Sequence, residues 1–200
     1  MRIFRKGRGP HALPLAVVGV RLGDRLLDVG AHASALFAEM AGKVGLTGHA
    51  CAVVASGDAA GRVKAAAARA GVLVEVESTS WPRLPVADEA FDVAVVDDTA
   101  GLLASLDQPA RAALASEVLR ALRPGGRALV LEGAPRGLLA ALTGGGGPGS
   151  PASAASAWLS AAGFRPVRLL AEREGQRFTE GWKLAPSPEG ATPPAASGLD

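Results

Sequence analysis

The stretch RLLDVGAHAS, residues 25–34, decides the fold of this chain. Its apolar residues Leu26, Leu27 and Val29 predict a buried parallel strand, and Gly30 stands where that strand must turn sharply into a helix. Such a turn suits a nucleotide, because glycine lets ligand and backbone approach closely and the helix N-terminus offers free N–H groups. We therefore expect a nucleotide-binding turn at this position.

Strand-like and helix-like segments alternate along the rest of the chain. Apolar runs predict strands at residues 25–29, 49–56, 72–78, 91–98, 127–133, 163–174 and 176–185. Apolar periodicity and helix-stop signals predict helices at residues 35–45, 59–70, 108–122, 137–142 and 153–163. This alternation predicts an α/β fold in which a mostly parallel sheet carries helices on both faces.

Length and composition favour one domain with a substantial core, because 48% of the 200 residues are hydrophobic. We expect a basic leader and N-terminal segment over residues 1–20, a folded domain over 21–185 and a disordered tail over 186–200. The basic residues of the leader favour a solvated, frayed terminus over a phosphate or membrane contact. The glycine-rich break at Gly144–Pro151 favours a surface insertion over a mobile cover of a site.

Charge and cysteine content narrow the classes of function. The formal net charge is +2, so the chain has no general field for nucleic acid, and we expect no nucleic-acid partner. The single cysteine, Cys51, lies in an apolar run, which predicts a buried thiol and excludes a cysteine-cluster metal site. We expect no bound metal. Because no run approaches the roughly 20 apolar residues that span a bilayer, we also expect no membrane span and a cytoplasmic location.

Four motifs follow one another in a characteristic order. They are LLDVG in the first strand, GLTGHACAVVAS leading into the second, LPVADEAFDVAVVDD around the fourth, and EVLRALRPGGRALVLEG into the fifth. In this order they resemble the class I S-adenosylmethionine-dependent methyltransferases, close to the small-molecule branch that includes quinone-biosynthesis C-methyltransferases. The resemblance covers residues 22–183. It implies a Rossmann-like, doubly wound, seven-stranded sheet with a reversed final strand, S-adenosylmethionine as cofactor and a small-molecule substrate.

The resemblance also implies which residues hold the methionine portion of the cofactor. Family members use a strand-one acid and a series of glycines, which Asp28 and Gly30 match here. His32 and Ser34 stand where later glycines occur, so the motif is degenerate. Asp97, at the end of the fourth strand, lies at the same edge of the sheet and joins this set.

The positions expected to bind the adenosine portion differ more strongly from the family pattern. Val54 replaces the acid that takes both ribose hydroxyls, and Ser80, followed by Trp81, replaces the acid that accepts from the adenine amino group. Serine still accepts a hydrogen bond, and tryptophan stacks on adenine. Each lost charged hydrogen bond removes about 1.5–3 kcal/mol, so we expect weakened cofactor binding. Asp58 supplies the missing acid only if the second strand is longer than predicted.

The catalytic residues are not identified by any nucleophile–base motif. His32 is a candidate base, or a donor to the cofactor carboxylate, with a helix-capping or solvent-facing role as the alternative. Asp97 is a candidate base or substrate-orienting residue, and Asp98 is another. Adjacent strand residues point to opposite faces, so these two acids do not form a paired site. His11 is a further candidate base, against the alternative of a plain loop histidine.

Two functions remain open at this point. The first is a methyltransferase acting on a small molecule; the second is an inactive domain of the same fold that serves as a binding or regulatory partner of another protein. The sequence DDTA after the fourth strand lacks the aromatic, proline-containing tetrapeptide of nucleic-acid amino-methyltransferases, which disfavours base methylation. A dinucleotide-dependent oxidoreductase is rejected, because no G-x-G-x-x-G series follows the first strand.

Overall fold

The computed structural model describes residues 9–133 and 154–185, which form seven strands and six helices. The strands are β1 (Arg25–Val29), β2 (His49–Val54), β3 (Glu75–Ser78), β4 (Phe91–Asp98), β5 (Leu122–Gly133), β6 (Val167–Arg173) and β7 (Gln176–Trp182). The helices are α1 (Ala12–Val18), α2 (Ser34–Val44), α3 (Gly57–Ala70), α4 (Leu102–Ser105), α5 (Gln108–Ala121) and α6 (Ala154–Ala161). The predicted helix at 137–142, the glycine-rich break and the tail lie outside the described residues.

The strands form one sheet in the order β3-β2-β1-β4-β5-β7-β6. Strands β1 to β5 pair with one another in parallel, whereas β7 runs antiparallel to both β5 and β6. The predicted doubly wound, seven-stranded α/β sheet with a reversed final strand is therefore confirmed. The strand order changes direction between β1 and β4, and ligands of open α/β sheets bind above the carboxyl ends of the strands at such a point.

Two core clusters lie on opposite faces of the sheet. The first core cluster packs the sheet against α1, α2 and α3 and includes Leu26 and Phe37. The second core cluster packs the sheet against α4, α5 and α6 and includes Leu27, Leu114 and Leu159. Neighbouring residues of β1 thus point to opposite faces and are buried on both. This explains why the strands read as continuous apolar runs.

Side-chain caps set the beginnings of α3 and α5. The Ser56 hydroxyl oxygen accepts a hydrogen bond from the Ala59 N–H at 3.2 Å, and α3 ends at Gly71 in the left-handed conformation. Asp107 accepts from the Ala110 N–H at 2.8 Å and begins α5. Because the cap of α3 is Ser56, this helix starts two residues earlier than predicted.

Several strand boundaries differ from the prediction: β2 ends at Val54 rather than at residue 56, β5 begins at Leu122 rather than at residue 127, β6 spans Val167–Arg173, and β7 ends at Trp182. Strand β3 begins at Glu75, because its ladder with β2 starts at the Cys51–Glu75 pair and residues 72–74 precede that ladder. Helix α5 ends at Ala121, and β5 begins with Leu122 in an extended conformation. The following proline disfavours helical geometry in the residue before it, so the chain leaves the helix ahead of the RPGG sequence.

The sequence does not predict α1, which packs on α2 as part of the first core cluster. Pro14 lies in its first turn, where the missing N–H of proline interrupts no helical hydrogen bond. Val18 is fully buried, and the Arg127 guanidinium donates to the carbonyl oxygens of Val18 at 2.5 Å and Gly19 at 3.2 Å. Arg127 also pairs with the buried Glu180 at 3.1 Å. The end of α1, which belongs to the expected N-terminal segment, is therefore hydrogen-bonded to the sheet through Arg127.

None of the helices in the described ranges has both the length and the apolar content that a membrane crossing requires.

Candidate functional site

The strand-one turn has a geometry that requires glycine. Gly30 adopts φ 104°, and Ala31 follows with φ 42°, so two successive residues lie in the left-handed half of conformational space. A Cβ atom on Gly30 would lie 2.9 Å from the Asp97 carbonyl oxygen. The turn therefore passes against the end of β4 at a distance that only glycine permits.

The N–H groups of this turn are bonded to the protein itself. Gly30 donates to the Val53 carbonyl oxygen at 2.9 Å, which ties the turn to the end of β2. Ala31 donates to Asp28 Oδ1 at 3.1 Å, and Ala33 donates to Asp97 Oδ2 at 2.7 Å. No side chain caps the N-terminus of α2 in the described part of the chain. The first turn of α2 is therefore where backbone donors remain for a ligand.

Asp28 and Asp97 are both buried beneath the turn. Burial raises the pKa of Asp28 well above its ordinary value, the charge of Asp97 raises it further, and the hydrogen bond from Ala31 lowers it. Asp97 Oδ1 accepts from both the N–H and the hydroxyl of Thr99, at 3.1 and 2.5 Å. With both of its oxygens engaged, Asp97 holds the turn and the loop after β4 in place.

Val54 lies at the tip of β2, one residue after the carbonyl that accepts from Gly30. Its side chain belongs to the first core cluster and is fully enclosed, while its carbonyl oxygen accepts from the Thr79 N–H at 2.9 Å. The side chain offers an apolar surface and no hydrogen-bond acceptor. Since β2 ends at Val54, Asp58 lies in the first turn of α3 with an exposed side chain.

Ser80 and Trp81 follow β3 at the same edge of the sheet. Ser80 is exposed, and Trp81 is half-buried and packs against the second core cluster. Val54 and Trp81 therefore pack on opposite faces of the sheet, so the indole does not fill the space above Val54.

The two histidines that the sequence singles out are far less buried than the acids. His32 is exposed, and its proximity lowers the pKa of Asp98. His11 Nδ1 lies 2.7 Å from Glu39 Oε1, which attaches the beginning of α1 to α2. His32 thus stands at the mouth of the site, whereas His11 takes part in a contact between two helices.

Glu132 is a site residue that the sequence analysis did not single out. It ends β5 in register with Asp98, so both carboxyl groups point to the face of α5 and α6. Glu132 Oε2 is buried and has no hydrogen-bond partner among the described residues, whereas Asp98 Oδ1 accepts from the Leu103 N–H at 2.7 Å. Acids at the ends of two predicted parallel strands, FDVAVVDD and RALVLEG, were the signal for this pair.

Burial is the largest cause of the raised pKa of both acids. The pKa of Asp98 is raised further by Asp97 and lowered by the Leu103 N–H and by His32. The pKa of Glu132 is lowered by Arg177 and raised by the charges of Asp98 and Glu172. An open cavity of 530 Å³ lies beside this pair, between α5 and α6.

Two negative findings limit the chemistry of the site. Burial raises the pKa of the Cys51 thiol to about 12, so this cysteine is neutral and unreactive at physiological pH. No group of three or more His, Cys, Asp or Glu side chains within residues 9–133 and 154–185 is arranged to hold a metal ion.

Comparison with known proteins identifies the family of this chain. Residues 26–126, half of the chain, match the sequence profile described as "Methyltransferase domain". The chain belongs to this methyltransferase family. The matched residues contain the Gly30 turn, Val54, Asp97 and the helix that leads into β5. Membership implies S-adenosylmethionine as the cofactor. A search of curated proteins found no match to the sequence.

Solved structures of methyltransferases share the fold of this family member. An S-adenosylmethionine-dependent methyltransferase from Aquifex aeolicus is 18% identical, with a TM-score of 0.69 over 88% of this chain and 95% of that chain. One from Methanosarcina mazei is 20% identical, with a TM-score of 0.64 over 86% of this chain and 98% of that chain. The [4+2]-cyclase SpnF is 18% identical, with a TM-score of 0.61 over 86% of this chain and 78% of that chain. The fold thus also occurs in a protein named for a cyclisation, and activity has to be argued from the site.

Proposed function

We propose that this chain binds S-adenosylmethionine above the Gly30 turn and transfers its methyl group to a small molecule bound on the α5–α6 side. The observation that carries the proposal is the turn itself. Gly30 and the non-glycine Ala31 adopt positive φ values of 104° and 42°. Asp28 from β1 accepts from the Ala31 N–H, and Asp97 from β4 accepts from the Ala33 N–H. Strained backbone at the carboxyl ends of two central parallel strands is typical of a ligand site.

The residues present fit one half of the cofactor better than the other. For the methionine portion, the chain offers the Gly30 turn, the exposed His32 and the uncapped N-terminus of α2. For the adenosine portion, it offers the exposed Ser80 and the flat side chain of Trp81. Val54 offers no acceptor for the ribose hydroxyls. We therefore expect binding through the methionine portion and weaker binding than an acidic residue at position 54 would provide.

Methyl transfer requires little of the protein besides alignment. The bound cofactor supplies a methyl group on a positively charged sulfur, and the chain has to hold the acceptor atom in line with it. Asp97 and Thr99 fix the turn on one side, and Asp98 and Glu132 face the acceptor on the other. Glu132 Oε2 is the atom that we expect to take the proton that a hydroxyl or amine acceptor loses.

A transfer assay tests this proposal. The full chain is incubated with methyl-labelled S-adenosylmethionine and separate panels of small phenols and small amines, and labelled product is measured. We expect transfer to at least one acceptor class, with loss of transfer in Glu132→Gln and retention in Glu75→Gln, an exposed acid on β3 at the opposite edge of the sheet. Absence of transfer to every acceptor by folded protein would reject the proposal as stated.

The finer assignments made from the sequence belong to this proposal. The motif resemblance favours the small-molecule branch that includes quinone-biosynthesis C-methyltransferases, and the phenol and amine panels compare two classes of acceptor. A cytoplasmic location is part of the same proposal, and cell fractionation tests it.

A second candidate is an inactive domain that binds another protein. The enclosed Val54 favours it, together with the turn N–H groups that are already bonded inside the protein. This candidate predicts that folded protein gains no stability from S-adenosylmethionine and that a partner co-purifies with it. Measured turnover by the purified chain would reject this candidate.

A further inference from the structure

The cavity between α5 and α6 has the form of a small-molecule slot. Its volume of 530 Å³ lies within the range of about 300–1,000 Å³ that is usual for small-molecule sites. Alanines of both helices form much of its walls, including Ala112 and Ala157, and Leu103 and Trp158 add larger apolar surfaces. Short alanine side chains leave room for a ligand between the two helices.

Trp158 is fixed in orientation by a hydrogen bond. Its indole N–H donates to the Arg111 carbonyl oxygen at 2.7 Å, so α6 is tied to α5 across the slot. The half-buried ring thereby presents a flat apolar surface to the slot. An aromatic ring held in this way is suited to an apolar ligand body and to a nearby positive charge.

The polar end of the slot carries two carboxyl groups. Asp98 and Glu132 stand side by side on β4 and β5 and point to the same face. Glu132 Oε2 is buried without a hydrogen-bond partner among the described residues. A buried carboxylate oxygen without a donor is unfavourable, because burial removes the water that would solvate it. Within residues 9–133 and 154–185, no donor therefore satisfies this oxygen.

Among the described residues, the charged groups nearby do not hydrogen-bond to Glu132 Oε2, although the exposed Arg111 also lines the slot. Glu132 is near Arg177 and Glu172, and the Arg177 guanidinium donates to Glu172 at 3.0 Å. Asp98 is near Asp97 and the exposed His32. The acid pair thus lies in surroundings with more carboxyl groups than cations.

We propose that the slot binds an organic ammonium, with the ammonium group at Asp98 and Glu132 and an apolar body between α5 and α6 against Trp158. The identification of this ligand as the methyl acceptor rests on the proposed function; binding of the ammonium in the slot does not. The acid pair selects the positive head, and the alanine-lined walls select the apolar body.

Matched probes test the proposal on the full chain. 2-Phenylethylamine carries the ammonium, 2-phenylethanol is its neutral analogue, and 4-ethylphenol represents a phenolic acceptor. Binding of each is measured by NMR titration at neutral pH. We expect the amine to bind about tenfold more tightly than the alcohol or the phenol, because charge-assisted hydrogen bonds are about twice as strong as neutral ones. Glu132→Gln should remove most of this preference.

Two alanine variants on adjacent residues of α5 test the location. Ala112 lines the slot, whereas its neighbour Ala113, also exposed, lies outside it. Ala112→Leu should weaken amine binding about tenfold by filling the slot, and Ala113→Leu should leave it unchanged, because both substitutions keep a good helix former. Equal binding of amine and alcohol, tighter binding of the phenol, or equal effects of the two leucine variants would overturn the proposal.

Binding of S-adenosylmethionine, measured on the same samples, separates this proposal from the proposed function. Amine binding without cofactor binding would retain the slot and reject the methyltransferase activity. Cofactor binding without amine binding would reject the ammonium slot alone.

Discussion

The two faces of the sheet use their carboxyl groups in different ways at the same edge. On the face of α2 and α3, Asp28 and Asp97 accept hydrogen bonds from the turn, and Val54 is enclosed. On the face of α5 and α6, Asp98 and Glu132 border an open slot, and a buried oxygen of Glu132 lacks a partner within the described ranges. The first pair of acids accepts from the protein's own backbone. In the second pair Asp98 also accepts from the Leu103 N–H, but Glu132 keeps a buried oxygen that a ligand can bond to.

The two halves of the proposed site therefore differ in how fully their polar groups are bonded within the protein. On the side of the turn, the acids are bonded to the protein's own backbone and the enclosed Val54 offers no acceptor. On the slot side, Glu132 Oε2 has no hydrogen-bond partner among the described residues. We infer that the slot is better equipped to bind a polar ligand group than the surface at Val54.

The largest effect is expected for Gly30→Ala. The added Cβ would lie 2.9 Å from the Asp97 carbonyl oxygen, at a φ of 104° that side-chain-bearing residues rarely adopt. We expect the free energy of unfolding to fall by about 3 kcal/mol, measured by urea denaturation. Gly61→Ala is the matched control, because its Cβ would meet nothing within 4 Å, and it should not destabilise the protein. Equal stability of the two variants would show that the close packing of the turn against β4 does not contribute to the stability of the fold.

The next effect is expected for Val54→Asp, which restores an acceptor on the cofactor side. If the ribose lies above Val54, affinity for S-adenosylmethionine should rise roughly tenfold to a hundredfold, as expected for a charged hydrogen bond. Because Val54 is fully enclosed, the same substitution should also lower the stability of the ligand-free protein. Val54→Asn is the control of similar shape without the charge, and it should give a smaller gain in affinity. Calorimetric titration measures all three proteins, and unchanged affinity in folded Val54→Asp would favour the partner role.

A smaller effect concerns the pH dependence of stability. Burial and the charge of Asp97 raise the pKa of Asp28 in the folded chain above its unfolded value. The folded chain therefore binds more protons than the unfolded chain between these two pKa values, so stability falls as pH rises through this window. Asp28→Asn should remove this part of the decline, as followed by urea denaturation from pH 4 upward. Asp58→Asn, at an exposed position of α3, should keep it; the same decline in both variants would assign it to another group.

The sequence predicts the centre of the sheet well because the central strands are buried on both faces. FDVAVVDD and RALVLEG read as apolar runs for this reason, and the glycine of LLDVG marks the central turn. Helix α1 is not predicted from the sequence, although its Pro14 lies in the first turn, where a helix tolerates proline. Tertiary packing of Val18 in the core then stabilises the helix.

The candidate site is predicted less completely, because part of it depends on register between strands. The positions of Asp28, Gly30 and Asp97 follow from their own strands. The Asp98–Glu132 pair depends on which residues of β4 and β5 face each other, and that alignment is set by the sheet. Likewise, the face of the sheet on which Trp81 packs depends on the conformation of the loop after β3. A loop has no hydrophobic periodicity from which this conformation could be predicted.

Binding of S-adenosylmethionine to the unmodified chain tests the central claim most directly. Thermal unfolding is followed with S-adenosylmethionine, with its demethylated product S-adenosylhomocysteine and with adenosine, each up to millimolar concentration. At about ten times its dissociation constant, a ligand stabilises the folded state by roughly 1.4 kcal/mol, which raises the unfolding midpoint by about 3–6 °C. The account predicts such a rise for the two ligands that carry the methionine portion and none for adenosine. No rise with any of them would contradict a cofactor site at the Gly30 turn.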